Sequence, residues 1–114
     1  MPYDHHDAVC SRVGAEPAPV GPAEILGLAR TFSSVTFPIN GLRQPAEDGA
    51  CGWFVWSSEE LPDDPEFFLP TPVGHLVTVC PSVRPYLELP AGWRFRFGPG
   101  YQDAWYDEQL LQED

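Results

Sequence analysis

The clearest pattern in the chain is the run Trp93-Arg94-Phe95-Arg96-Phe97, in which aromatic and basic side chains alternate. Gly98-Pro99-Gly100-Tyr101 follows, and then a second run from Gln102 to Asp107. Period-two alternation on both sides of a Gly/Pro segment predicts a β-hairpin, with residues 98–101 as a four-residue connection. If Phe97 pairs with Gln102, Arg96 faces Asp103, Arg94 faces Trp105, Phe95 faces Ala104 and Trp93 faces Tyr106. One face of the hairpin then carries an ion pair and a cation–π pair, and the other carries aromatics for a core.

Cys51-Gly52-Trp53-Phe54-Val55-Trp56 has bulk at both odd and even positions, which predicts a central strand covered on both faces. Val35, Phe37 and Ile39 alternate through a segment from Thr31 to Asn40, a further strand, with Asn40-Gly41 as a turn signal after it. Residues 43–49 hold Pro45 and Asp48-Gly49 and read as a loop. Two stretches have helical spacing. Pro22 at a first helical position precedes Ile25, Leu28 and Ala29 on one face. Thr71 as cap and Pro72 as first residue precede Val73, Leu76, Val77 and Cys80, and Pro81 ends that stripe. A further turn carries Val83, Tyr86 and Leu87. Residues 1–20 show no period and read as an irregular arm, and residues 108–114 as a short helical or frayed acidic tail. The order helix, strand, strand, helix, strand, strand predicts a small single α+β domain over residues 21–114. Its sheet is mostly antiparallel, of about four strands, with two short helices packed on one side.

Charge changes this picture more than length does. The 114 residues suit one domain with a core of its own. Seventeen acidic residues face six basic ones, all arginine, for a formal net charge of −11. Such a field repels nucleic acid and anionic lipid and attracts a basic protein. The acids concentrate in Ser57–Glu66, where Glu59, Glu60, Asp63, Asp64 and Glu66 put five carboxylates within eight residues. Phe67, Phe68 and Leu69 close this loop and are expected to anchor it to the core. The carboxylates form either a partner-facing patch or a plain solvated loop. A Pro-rich run of solvated acids lacks the desolvated member that general acid–base chemistry requires, and its spacing does not match a calcium loop. Arg94 and Arg96 among aromatics suit cross-strand pairing better than a nucleic-acid stacking platform.

Cys10, Cys51 and Cys80 are odd in number and lack a Cys-x-x-Cys spacing, so buried free thiols in a reducing compartment are expected. No basic start followed by an apolar run marks a signal peptide, and no apolar stretch nears ~20 residues. A cytoplasmic location is the default expectation, with no membrane contact. His5, His6, Asp7 and Cys10 could seed a metal site only on a fixed scaffold, and an adventitious surface cluster is the simpler reading. His75 is expected to face solvent. No nucleophile or phosphate-loop motif occurs, so neither cofactor nor metal is expected. Trp53 and Trp93 are expected in the core. Trp56 and Trp105 are read either as partly exposed, where an aromatic beside acids suits a basic partner, or as simply core.

An ordered set of short motifs resembles the immunity protein 33 family of bacterial polymorphic toxin systems. It comprises Gly41-Leu42-Arg43, Gly52-Trp53 on a strand, and an acidic stretch ending in Asp64-x-Glu66. After these come a helix leading to Pro81-x-Val83-x-Pro85-x-Leu87, and Leu89-Pro90-x-Gly92 before an aromatic strand. The resemblance spans about residues 31–107. The chain departs from it after Trp53, where Phe54-Val55-Trp56 stands in place of an Arg followed by aromatics. The resemblance implies a cytoplasmic antitoxin that neutralises a cognate toxin by binding it, with no catalytic residues. The residues themselves leave open a small enzyme or metal-binding protein, and an adaptor with some other partner. The expected partner-binding residues are Trp56, Glu59, Glu60, Asp63, Asp64, Glu66 and Trp105, on a monomer or weak dimer.

Overall fold

The computed structural model describes residues 8–46, 50–58 and 67–111. Its centre is a six-stranded mixed sheet, two strands more than the periodicity suggests. The strands are β1 (Ile25–Ala29), β2 (Ile39–Arg43), β3 (Ala50–Ser57), β4 (Phe68–Pro72), β5 (Trp93–Gly98) and β6 (Tyr101–Tyr106). They lie in the order β4-β1-β3-β2-β5-β6. Only the β1–β3 pairing is parallel. The helices are α1 (Ala8–Val13) and α2 (Val73–Val79), joined by 3₁₀ segments at Pro81–Glu88 and Glu108–Leu111.

The β5–β6 hairpin has the register that its alternation predicts, from Trp93 opposite Tyr106 to Phe97 opposite Gln102. Gly98 pairs with Tyr101, so the connection is the two residues Pro99-Gly100 and not four. Gly100 supplies the positive φ of 82° that so tight a turn requires. β3 is central, as its two-sided bulk predicts. Cys51, Trp53 and Val55 enter the main core, and Trp56 enters a second cluster on the opposite face.

Three expectations are corrected. The stretch after Pro22 is strand β1, because Ile25–Ala29 pairs on both sides, with β3 and β4. Ile25, Leu28 and Ala29 fit a helical stripe equally well, and pairing decides. Asn40-Gly41 is no turn but the middle of β2, while Val35 and Phe37 lie outside any strand, 79% and 40% exposed. Gly41 is required there because a Cβ would sit 2.3 Å from Cε2 of Phe95, which packs across the strand. Thr71 does not cap α2. It belongs to β4, its hydroxyl donates to the Leu69 carbonyl at 3.0 Å, and Pro72 holds the cap position without a side-chain bond.

The segment 1–20, expected to be an irregular arm, contains α1, and Val9 and Cys10 of that helix are buried. Their side chains join Val73, Leu76, Val83, Tyr86 and Leu87 over the face of the sheet formed by Trp53, Val55, Phe95 and Phe97. Both α-helices and the longer 3₁₀ segment therefore cover one face of the sheet. Arg43 ties the layers together. It is 7% exposed, and its Nε donates to the Cys51 carbonyl at 2.9 Å. Its Nη1 donates to Ala18 at 2.9 Å and Leu89 at 2.8 Å, with a longer bond to Leu87 at 3.4 Å. Gly52, with φ of 94°, makes the bulge opposite Ile25–Gly27, and its carbonyl accepts from the Gln44 amide at 2.9 Å. The Gly41-Leu42-Arg43 and Gly52-Trp53 motifs are thus structural, serving close packing, the bulge and the arginine clamp.

Candidate interaction surface

Among the described residues the other face of the sheet carries no α-helix, and only the short 3₁₀ segment Glu108–Leu111 reaches it, through Leu110. Strand alternation places Phe68 of β4, Ala29 of β1, Phe54 and Trp56 of β3 and Asn40 and Leu42 of β2 on it. Arg94 and Arg96 of β5 and Asp103 and Trp105 of β6 complete the face. Its middle is packed. Ala29, Leu42 and Trp56 are buried beneath Phe32, Phe54, Phe67, Phe68 and Leu110. Phe68 meets Phe54 and Trp56 edge-on, at 5.4 and 6.4 Å between ring centres. A cleft of about 210 Å³ opens among Ile25, Gly27, Gly52, Phe54, Phe68 and Pro70.

Trp56 is 2% exposed, so of its two readings the core one holds and the partly exposed one does not. Its indole Nε1 is buried and has no acceptor among the described residues. Trp53, by contrast, donates its Nε1 to the Leu87 carbonyl at 3.0 Å. Trp105 is at the surface, 37% exposed, with the Arg94 guanidinium 5.6 Å from its ring centre as the hairpin register predicts. Arg94 also pairs with Asp107 at 3.4 Å, both side chains about a quarter exposed. Screening by water keeps such a pair within ~1 kcal/mol. Trp93 is half-buried and packs edge-on against Tyr106.

Glu59, Glu60, Asp63, Asp64 and Glu66 lie outside the described residues. The chain enters their segment from β3 and leaves it into β4. Ser58, just before it, accepts a 2.6 Å bond on its carbonyl from the Asn40 amide. Phe67 and Phe68, just after it, pack into the second cluster as an anchor should, but Leu69 is 41% exposed and does not. β4 is one edge of the sheet and β6, with Trp105, is the other. Of the predicted contact residues only Trp56 and Trp105 are described, the first in the buried centre of this face and the second on its β6 edge. Asn40 was not foreseen at all. Its place beside Gly41 suggests a turn, and only the strand pairing reveals that it holds Ser58.

Cys10 is fully buried in the main core, and His5, His6 and Asp7 lie outside the described residues. No group of three His, Cys, Asp or Glu side chains able to hold a metal occurs among the described residues. All three thiols are buried and none is in a disulfide, as expected. Burial pushes the Cys51 thiol up, the Tyr86 phenol up and the Arg43 guanidinium down. His75 is exposed on α2, as predicted. A second cleft, of about 290 Å³, lies between α2 and the longer 3₁₀ segment, with Arg84 and Glu88 the charged residues of an otherwise mainly apolar lining. No helix among the described residues is long and apolar enough to cross a membrane.

No curated protein and no solved structure matches the chain. The model of the Imm33-like domain matches residues 5–107, from the segment before α1 through the last strand. The motifs that carry the resemblance in the sequence therefore sit inside a match over nearly the whole fold, and the chain belongs to the Imm33-like domain family.

Proposed function

We propose that this protein is an immunity protein that neutralises a cognate toxin, a basic protein, by binding it in the cytoplasm, without catalysis of its own. Membership of the Imm33-like family is the observation that carries this reading. The charge of −11 supports a basic partner, because an acidic surface speeds encounter with one and can fill a site that otherwise holds phosphate. Glu59, Glu60, Asp63, Asp64 and Glu66 are the steering group in this reading, and Trp105 an exposed contact. Trp56 contributes from below, as packing under this second face of the sheet.

The test is affinity capture from the source organism's lysate at low and high salt, followed by expression of each captured protein alone and with this chain. The expected result is one basic protein, held more tightly at low salt, that arrests growth alone and is harmless in the presence of this chain. Capture of only non-toxic proteins, or toxicity that this chain does not relieve, refutes the reading.

A further inference from the structure

The two edges of the sheet are treated in opposite ways. In the β1–β4 ladder, Arg30 donates to the Phe67 carbonyl at 2.9 Å and Val73 donates to the Glu24 carbonyl at 2.8 Å. These bonds fix the alternation: residues 67, 69, 71 and 73 bond to β1, and residues 68, 70 and 72 turn their backbone outward. Two of the three outward positions are Pro70 and Pro72, which have no N–H to offer. That edge is closed to another strand.

Among the described residues the β6 edge is open. Gly98 pairs with Tyr101 across a two-residue turn, and the Asp107 amide donates to the Gly92 carbonyl at 2.6 Å. Residues 101, 103, 105 and 107 therefore bond to β5, and Gln102, Ala104 and Tyr106 turn their N–H and C=O groups outward. Among the described residues no strand pairs with them. β6 has no proline, no lysine and no bulge, and its six residues pair with β5 in unbroken register. Tyr101, Trp105, Tyr106 and Leu111, exposed by 46, 37, 51 and 40%, are half of the large exposed hydrophobics among the described residues. Asp103, Asp107 and Glu108 give residues 101–111 three carboxylates and no basic residue.

We infer that the outer edge of β6 is the docking edge for an extended, basic segment of the toxin, which adds as a seventh strand. This rests on the immunity reading above. Backbone bonds from Gln102, Ala104 and Tyr106 hold the added strand. Trp105 and Tyr101 on one face and Tyr106 on the other flank its side chains, and the carboxylates select arginine or lysine. A second copy of this chain fits poorly, because like edges of a −11 chain bring Asp103, Asp107 and Glu108 of both copies together.

Two variants and two probes test this. Ala104→Pro and Gln102→Pro each delete one outward N–H without touching a bond to β5, and a thermal melt of each confirms that it folds. The first probe is a short peptide alternating arginine and valine, with a glutamate–valine peptide as control, followed by backbone NMR and amide exchange. The expected result is that the basic peptide shifts and protects the Gln102, Ala104 and Tyr106 amides and the acidic one does not. Amides already protected in the free protein, shifts confined to other strands, or equal effects of the two peptides overturn the inference. So does a concentration-dependent dimer that Ala104→Pro abolishes, since it assigns the edge to a second copy. The second probe is the captured toxin, against which both proline variants are expected to raise Kd by roughly tenfold or more. Unchanged binding by folded variants removes the edge from the interface and leaves the immunity reading standing. Failure of the wild-type chain to neutralise any toxin removes that reading, and with it the toxin as occupant, while the peptide arm still decides whether the edge accepts a strand.

Discussion

Arg43 is the residue on which the layers of the fold depend most directly. Its guanidinium is buried, and its charge is met by the carbonyls of Cys51, Ala18, Leu87 and Leu89, with the Trp53 ring 5.7 Å from Cζ and with Glu24 and Glu88 near enough to favour the cation. Burial lowers its pKa by disfavouring the cation, yet the fork of donors reaches three separate segments that no apolar side chain could link. Arg43→Ala removes every one of these donors and leaves buried carbonyls short of partners. The expected loss is roughly 2–4 kcal/mol in urea unfolding, with faster proteolysis of residues 15–20 as the Ala18 tie is released. Arg43→Lys is expected to restore less than half, because an ammonium cannot span the fork. A loss below ~1 kcal/mol for Arg43→Ala would mean that packing alone holds these segments in place.

At the scale of elements, Gly41 shows how the sheet and its cover are fitted to one another. Phe95 lies across β2 between Trp53, 5.2 Å away, and Tyr86, 4.9 Å away, so its ring cannot move aside when a methyl is added beneath it. Gly41→Ala is therefore expected to cost roughly 1–3 kcal/mol despite the better intrinsic strand propensity of alanine. A neutral Gly41→Ala in the same urea titration would show that the ring is free to shift. The same element explains what the sequence could and could not reveal. The hairpin register was legible because both its strands alternate and a two-residue turn fixes the pairing. β3 was legible because bulk on both faces has few other homes. β2 was misplaced because the need for Gly41 comes from Phe95, 54 positions away, whereas Asn-Gly is a local turn signal. β1 was misread because five residues around Gly27 carry too little periodicity to outvote their partners. β4 was read as a helix start because its prolines are outward edge positions, which the sequence cannot distinguish from a first helical turn. Whether Trp56 lies inside or outside is undecided in the sequence because the aromatics that bury it, Phe32, Phe54, Phe67 and Phe68, come together only when β1, β3 and β4 assemble.

At the scale of the molecule, a steering charge and a docking edge would act on different rate constants. Encounter with a basic partner depends on the whole field, of which Glu59 to Glu66 is the densest part of the sequence, whatever strand the partner finally pairs with. Backbone bonds at β6 form only after encounter and govern dissociation. Asp63→Lys with Asp64→Lys shifts the formal charge by four units, from −11 to −7. The association rate at low salt is expected to fall by roughly tenfold, with dissociation unchanged. The wild-type and variant rates should converge as the Debye length shrinks to ~3 Å near 1 M salt. An unchanged association rate at low salt would remove the steering role. Faster dissociation would instead place these carboxylates in the bound interface. Combining the charge reversal with Ala104→Pro separates the cases further: two independent steps give additive losses, one in each rate constant, whereas a shared contact gives a combined loss smaller than their sum.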